Sequence, residues 1–160
     1  MNEFLIEPLK NEHRDWLVEF LCEQWGSTIT ISRGHIHNTD KLPGFVAVLD
    51  GRFVGLITFN IYKQECEIVT LNSVVEKRGI GTALINEVKR MAILKGCGRL
   101  WLVTSNDNLR AVQFYQKLGF RLVKIYRNAI EKSRQLKPEI PLIGIDGIPI
   151  RDEIELEFIL

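Results

Sequence analysis

Residues Glu76-Lys77-Arg78-Gly79-Ile80-Gly81-Thr82 stand between an apolar run and an amphipathic one, where a strand would turn into a helix. Two glycines there let backbone N–H groups close on a phosphate, and the positive end of the following helix adds to the attraction. The same Gly-x-Gly also serves as a tight corner without a ligand. Two nucleotide fingerprints are excluded. No lysine followed by a hydroxyl residue comes after Gly81, as a P-loop requires, and Leu84 stands where a dinucleotide motif has its third glycine.

A second segment of interest is Asn106-Asp107-Asn108-Leu109-Arg110-Ala111-Val112-Gln113-Phe114-Tyr115-Gln116-Lys117-Leu118-Gly119-Phe120, which follows another apolar run. Asn108 suits a helix N-cap and Gly119 a C-terminal stop, so that Ala111, Tyr115 and Leu118 share one stripe. A tyrosine on such a stripe is either a proton donor or a core ring with its hydroxyl satisfied.

Taken together, the two segments resemble motifs A and B of the GNAT superfamily of N-acetyltransferases. Motif A is Gln/Arg-x-x-Gly-x-Gly/Ala, and motif B runs from Asn-x-x-Ala through Tyr to Gly-Phe. The likeness extends over residues 45–126 and departs at Glu76 and Lys77, where the family has Gln or Arg followed by a small residue. It implies an α+β (mixed α/β) fold with a central mixed β-sheet flanked by helices, in a single domain over residues 1–160. It further implies acetyl transfer from acetyl-CoA, as co-substrate, to a primary amine by direct attack in a ternary complex.

The resemblance also distributes roles. The backbone of Arg78, Gly79, Ile80, Gly81 and Thr82 would hold the pyrophosphate, with the Arg78 side chain adding charge. The pantetheine arm would run along Ser73, Val74 and Val75, between strands expected at 65–74 and 100–104, and a backbone N–H near Leu71 or Asn72 would face the thioester oxygen. Asn108 and Ala111 belong to the cofactor site in this reading, although capping alone also explains Asn108. Tyr115 matches the tyrosine that protonates the departing thiolate. Glu67 occupies the strand position of a catalytic glutamate, with an ordinary surface glutamate as the alternative. An ammonium of pKa about 10.4 must lose a proton before it attacks, so Glu67 would need burial or a relaying water to act as base. Trp25, Arg33 and His35 fall in the variable region assigned to the acceptor; a packed loop with Trp25 in the core is the other reading.

Composition narrows the remaining classes. A chain of 160 residues, 46% of them hydrophobic, supports one sizeable core and is short for two ordinary domains. A net charge of +1 gives no basic field for nucleic acid. Residues 1–8 lack the pattern of a signal peptide and no apolar stretch approaches a membrane span, so a cytoplasmic protein is expected. Cys22, Cys66 and Cys97 form an odd set with no Cys-x-x-Cys, which argues for reduced, buried thiols, none of them a nucleophile. His35 and His37 have no further ligand motif, so no metal is expected. The expected partners are a small-molecule or peptide amine, with the chain as monomer or homodimer. A non-catalytic acyl-CoA-binding module is the alternative of another class.

Periodicity supplies the framework. A short strand is expected at 4–6, then a helix at 12–24 with Trp16, Leu17, Phe20 and Leu21 on one face. Residues 25–34 alternate like a strand where the family commonly has a second helix. A hairpin at 45–61 turns on Asp50-Gly51. A helix from Gly79, its apolar positions at Ile80, Leu84, Val88, Met91 and Ala92, ends at Gly96-Cys97-Gly98. A strand at 120–126 and a helix at 129–136 follow. The terminal strand sets Glu153, Glu155 and Glu157 against Ile154, Leu156 and Phe158, which predicts one wet face and a charged sheet edge.

Overall fold

The local signals become, in chain order, β1 (Leu5–Pro8), α1 (Arg14–Trp25), β2 (Ile29–Ser32), β3 (His35–Asn38), β4 (Gly44–Leu49), β5 (Arg52–Tyr62), β6 (Glu65–Ser73), α2 (Ile80–Leu94), β7 (Arg99–Ser105), α3 (Leu109–Lys117), β8 (Arg121–Tyr126), α4 (Ala129–Leu136) and β9 (Glu153–Ile159). The computed structural model describes residues 3–160; Met1 and Asn2, the start of the amino-terminal segment read above, lie outside the described residues. The fold class is the expected mixed α/β. The chain groups into two compact units, one of Met1–Thr30, Asn38–Leu100 and Leu160, the other of Ile31–His37 and Trp101–Ile159.

In the first unit the strand order is β1-β4-β5-β6, each pair antiparallel. Asp50 (φ 52°) and Gly51 (φ 74°) both take the left-handed region, the requirement of the two-residue turn that joins β4 to β5. Side chains alternate across the strands, so the two faces take different helices. Val46 and Leu56 pack with Leu17, Phe20 and Leu21 of α1, where Trp16 stacks on Phe20 at 4.9 Å. On the face of Ala47 and Gly55 lies α2. A Cβ on Gly55 would stand 2.8 Å from Ile80 Cγ2 and 3.2 Å from Leu84 Cδ1, so only glycine admits the helix this close. Burial of Ile80, Leu84, Ile85, Val88 and Ala92 confirms the predicted stripe, with Met91 at its margin.

One feature of this sheet has no signature in the sequence. Phe59 pairs with Ile68 and Thr58 with Thr70, which leaves Val69 as an extra residue in β6. Such a bulge sharpens the local twist and re-aims the residues beyond it, here Thr70 to Ser73.

In the second unit the order is β7-β9-β8, with β8 and β9 antiparallel. This corrects the reading of the terminal strand. β9 is flanked on both sides, so it is not the sheet edge, and Glu153 and Glu155 are 4% and 2% exposed rather than wet. Their burial is made tolerable by long-range partners that alternation cannot reveal. Gly119, at φ 98°, ends α3 as expected, and Phe120 returns to pack edge-on against Tyr115 at 5.3 Å.

The segment between α4 and β9 is tied down by side chains. Arg134 donates from Nε to Ile140 O and from Nη2 to Pro141 O and Ile150 O, at 2.9–3.1 Å. Asn106 donates to Pro149 O and accepts from the N–H groups of Arg151 and Asp152, each at 2.9 Å. Asp107 Oδ2 accepts from Ile145 N–H at 3.0 Å. Most of these partners are backbone groups of an irregular segment that would otherwise lack them.

β2 and β3 form a separate two-stranded sheet; of the strand-like alternation read at 25–34 only Ile29–Ser32 is strand, and Trp25 closes α1. Arg33 (φ 50°) and Gly34 (φ 80°) make its turn.

Two predictions follow from the packing. Replacing Gly55 by Val overfills the approach to α2 and should destabilise the protein by about 1–3 kcal/mol, read from a denaturant midpoint; an unchanged midpoint would show that α2 can shift freely. Cys66 and Cys97 are buried, but Cys22 is exposed, which corrects the expectation that all three are inside. Burial pushes the Cys66 thiol up to about 12 and raises Cys97 as well, the latter opposed by Lys95. A thiol reagent at neutral pH should therefore label Cys22 alone in the native chain, and all three cysteines after unfolding, as mass spectrometry of the labelled protein would record.

Candidate active site

The first unit supplies a turn whose backbone donors have no intrahelical acceptor. At Val74 the sheet ladder is still engaged, its N–H donating to Val54 O at 2.9 Å, while Ser73 Oγ donates to Val75 O at 2.8 Å. The chain then leaves the sheet through Lys77 (φ 60°) and Gly79 (φ 75°), both left-handed. A Cβ on Gly79 would meet nothing within 4 Å, so its backbone angle rather than crowding calls for glycine.

Gly79 is the N-cap of α2, and no side chain caps that end. The first intrahelical bond runs from Ala83 N–H to Gly79 O. The N–H groups of Ile80, Gly81 and Thr82 precede it and have no intrahelical acceptor to reach. No acidic residue sits in the first turn to compete for them. Gly81 is helical rather than left-handed, contrary to the idea that both glycines shape the corner. Glycine there costs roughly 1 kcal/mol against alanine, and it leaves the adjacent donors uncovered by any Cβ. Arg78 stands exposed beside this end. The arrangement is suited to a tetrahedral anion, which would satisfy the donors and the helix dipole together.

Farther back on β6, Glu67 pairs in register with Asn60 and is 5% exposed, between fully buried Cys66 and Ile68 at 4%. The surface-glutamate reading therefore fails. At the other end of the strand, Trp25 Nε1 donates to Asn72 Oδ1 at 2.9 Å. Trp25 is 44% exposed, so it is not a core residue; the α1 terminus holds it near the carboxyl end of β6.

Among residues of the second unit, Asn108 is the N-cap of α3, its Oδ1 accepting from Ala111 N–H at 3.2 Å. That bond occupies both residues in capping. Tyr115 is 7% exposed, with edge contacts to Phe114 and Phe120. Burial raises its phenol above the ordinary tyrosine value, so the hydroxyl keeps its proton throughout the neutral range.

Arg33 is held on several sides. Its Nη1 lies 3.2 Å from Glu155 Oε1, its backbone N–H donates to Glu153 Oε2 at 3.3 Å, and its guanidinium lies 5.2 Å from the ring centroids of both Trp101 and Tyr126. Tyr126 donates its hydroxyl to the same Glu155 oxygen at 2.9 Å. Sequence reasoning marked Arg33 but missed Glu155 and Tyr126; a charged residue at every second position of a strand reads equally as solvated or as paired. His35 is exposed at the start of β3. Among the described residues no three His, Cys, Asp or Glu side chains gather as a metal set would. No helix among them is long and apolar enough to cross a membrane.

Comparison with known proteins agrees with the motifs. The sequence profile described as the Acetyltransferase (GNAT) family matches residues 9–120. The chain is 43% identical over 152 residues to the uncharacterized protein YdhI of Bacillus subtilis (strain 168), covering 94% of each. In fold it is similar to the IAA acetyltransferase from Bacillus cereus ATCC 14579, with a TM-score of 0.76 at 22% identity, covering 99% of this chain and 100% of that one. It is similar as well to a GNAT family acetyltransferase from Elizabethkingia anophelis solved with acetyl-CoA bound, with a TM-score of 0.73 at 21% identity and 98% of each chain covered. With the paired motifs in place and the profile spanning most of its length, the chain belongs to the GNAT family of acetyltransferases.

Proposed function

We propose that the protein is an N-acetyltransferase that moves an acetyl group from acetyl-CoA to a primary amine by direct attack in a ternary complex. The observation that carries this reading is the uncapped amino end of α2, reached through left-handed Gly79, in a chain of this family. The donors of Arg78 to Thr82 bind the pyrophosphate. Ser73, Val74 and Val75 flank the pantetheine arm; Val74 N–H is already spent on the sheet, which leaves Ser73 and Val75 to supply backbone donors. Asn108 and Ala111 serve the cofactor indirectly, by fixing the start of α3.

The chemistry follows from the protonation states. The amine lone pair forms the new C–N bond at the thioester carbonyl carbon while the C–S bond breaks. Tyr115, kept protonated by burial, gives its proton to the thiolate sulfur and recovers one from solvent. The proton lost by the acceptor ammonium passes to Glu67, directly or through a water, and the second proton, shed by the nitrogen as the amide forms, passes to solvent. No covalent enzyme intermediate is needed, and the buried Cys66 thiol is held too far from ionisation to be a nucleophile. Trp25, Arg33 and His35 are assigned to the acceptor, a small molecule or a peptide. The whole of residues 1–160 acts as one acetyltransferase domain in this reading.

Two experiments test it. Acetyl-CoA titrated calorimetrically should bind the wild type, and Gly81→Trp, with an indole over the helix end, should abolish that binding; a wild type that binds no acetyl-CoA overturns the reading. Tyr115→Phe should lower kcat with an accepted amine about 100-fold while leaving acetyl-CoA affinity nearly unchanged. The sign of the pH dependence is fixed by the raised phenol: kcat should climb as the acceptor ammonium ionises, and show no fall before about pH 10, where an ordinary tyrosine would begin to ionise. A chain that binds acetyl-CoA yet transfers nothing across a broad amine panel would instead be the acyl-CoA-binding module.

A further inference from the structure

The second unit contains a cavity of about 550 Å³, and of its lining the acetyl-transfer reading uses only Arg33. Its wall is formed by the Arg33-Gly34 turn, the end of β8 and one side of α4. Four cationic residues, Arg33, Lys124, Arg127 and Lys132, line it, and no acidic residue does so among the described residues. The rest of the lining is largely apolar, from Ile125, Ala129 and Leu136 and the ring of Tyr126.

In a chain with a net charge of only +1, four cations around one cavity are a local concentration and not a reflection of composition. The nearby acids are committed elsewhere. Glu155 is buried against Arg33 and Tyr126, and Glu153 accepts from the Arg33 backbone. Arg33 is thus largely balanced. Lys124 Nζ sits 5.1 Å from the Tyr126 ring centroid, a contact that leaves its charge uncompensated. Lys124, Arg127 and Lys132 make no salt bridge to a described residue, and all three are exposed. Like charges gathered at one cavity repel, and an anion entering it would relieve that repulsion while meeting a guanidinium that can grip two oxygens at once.

From this we infer that the cavity is a binding site for a small organic oxyanion, a carboxylate or phosphate carried on an apolar body. The cationic rim takes the oxygens, and the apolar wall takes the body. The volume is in the range of small-molecule pockets. No residue of the turn before α2 lines this cavity, and the inference does not depend on the acetyl-transfer reading.

The test is calorimetric titration of phenyl phosphate, benzoate and uncharged benzyl alcohol into the wild type, the Arg127→Ala/Lys132→Ala double variant and Lys124→Glu, with circular dichroism to verify folding. All three altered side chains are exposed, so the variants should fold. At least one anion should bind the wild type well above benzyl alcohol, weaken as salt is raised, and lose roughly ten-fold in affinity in one or both variants. Which anion binds identifies the head group. The inference is overturned if neither anion exceeds benzyl alcohol, or if binding is unchanged in both variants, which would place the anion elsewhere, for example at the α2 turn. Acetyl-CoA titrated into the same three proteins reads the cofactor site separately, so either reading can fail while the other stands.

Discussion

The absence of a single Cβ governs the seat of α2 in this protein. With Gly55 under Ile80 and Leu84, the first turn of α2 lies directly on the β4–β5 hairpin, and the apolar stripe behind it anchors the helix. Burial of each such Leu or Ile is worth about 1.5–3 kcal/mol, enough to hold in place a helix end that has no side-chain cap of its own. That is the trade the site rests on. An ordinary cap would contribute about 1 kcal/mol and would occupy the donors a ligand needs. Tertiary packing makes the cap dispensable, and the donors are left for chemistry.

A different constraint organises the second unit. Placing β9 between two strands puts Glu153 and Glu155 inside, where an isolated carboxylate is costly. The solution is to bring the tip of the β2–β3 hairpin over them, so that Arg33 supplies both a charge and a backbone donor, and Trp101 and Tyr126 present ring faces to its guanidinium. Breaking such a pair from one side leaves the other charge buried and unmatched, at a cost of about 3–5 kcal/mol when burial is complete. A hairpin replaces the second helix common in the family, and this ion pair gives that hairpin a structural reason to exist. Arg33 can be an acceptor residue and a structural one at once, since 37% of its side chain is exposed.

What could be read from the sequence was local. Asp50-Gly51, Gly79 and Gly119 each demanded a backbone angle that the structure then adopts, and the spacing of Ile80, Leu84, Val88 and Ala92 announced a helix face before any partner for it was known. The turn before α2 and the cap at Asn108 were legible for the same reason: their signals lie within a few residues of each other. The strand β9 was misread because alternation of Glu with Ile and Leu states only that the faces differ, not which is wet. The side that takes the glutamates is decided by Arg33, 120 residues before Glu153. Likewise the hold of Asn106 and Arg134 on the 137–152 segment, and the extra residue Val69 in β6, depend on partners distant in sequence. None of them leaves a pattern in its own neighbourhood.

Charge follows the same logic. The net charge is near zero, but it is a sum over groups that the fold sorts by position. In the second unit Glu153 and Glu155 are turned inward, whereas Lys124, Arg127 and Lys132 are set outward around one cavity. The buried Glu155 is offset by the Arg33 guanidinium and Glu153 is held by the Arg33 backbone N–H, while the exposed cations keep their effect to within a Debye length of about 8–10 Å. A protein can therefore be neutral as a chain and cationic where a ligand arrives. Protons are sorted in the same way: the buried phenol of Tyr115 and the buried thiol of Cys66 both hold theirs more tightly than in water. For the thiol this removes a competing nucleophile, and for the phenol it preserves a donor. One physical cause, desolvation, thus silences one group and readies the other.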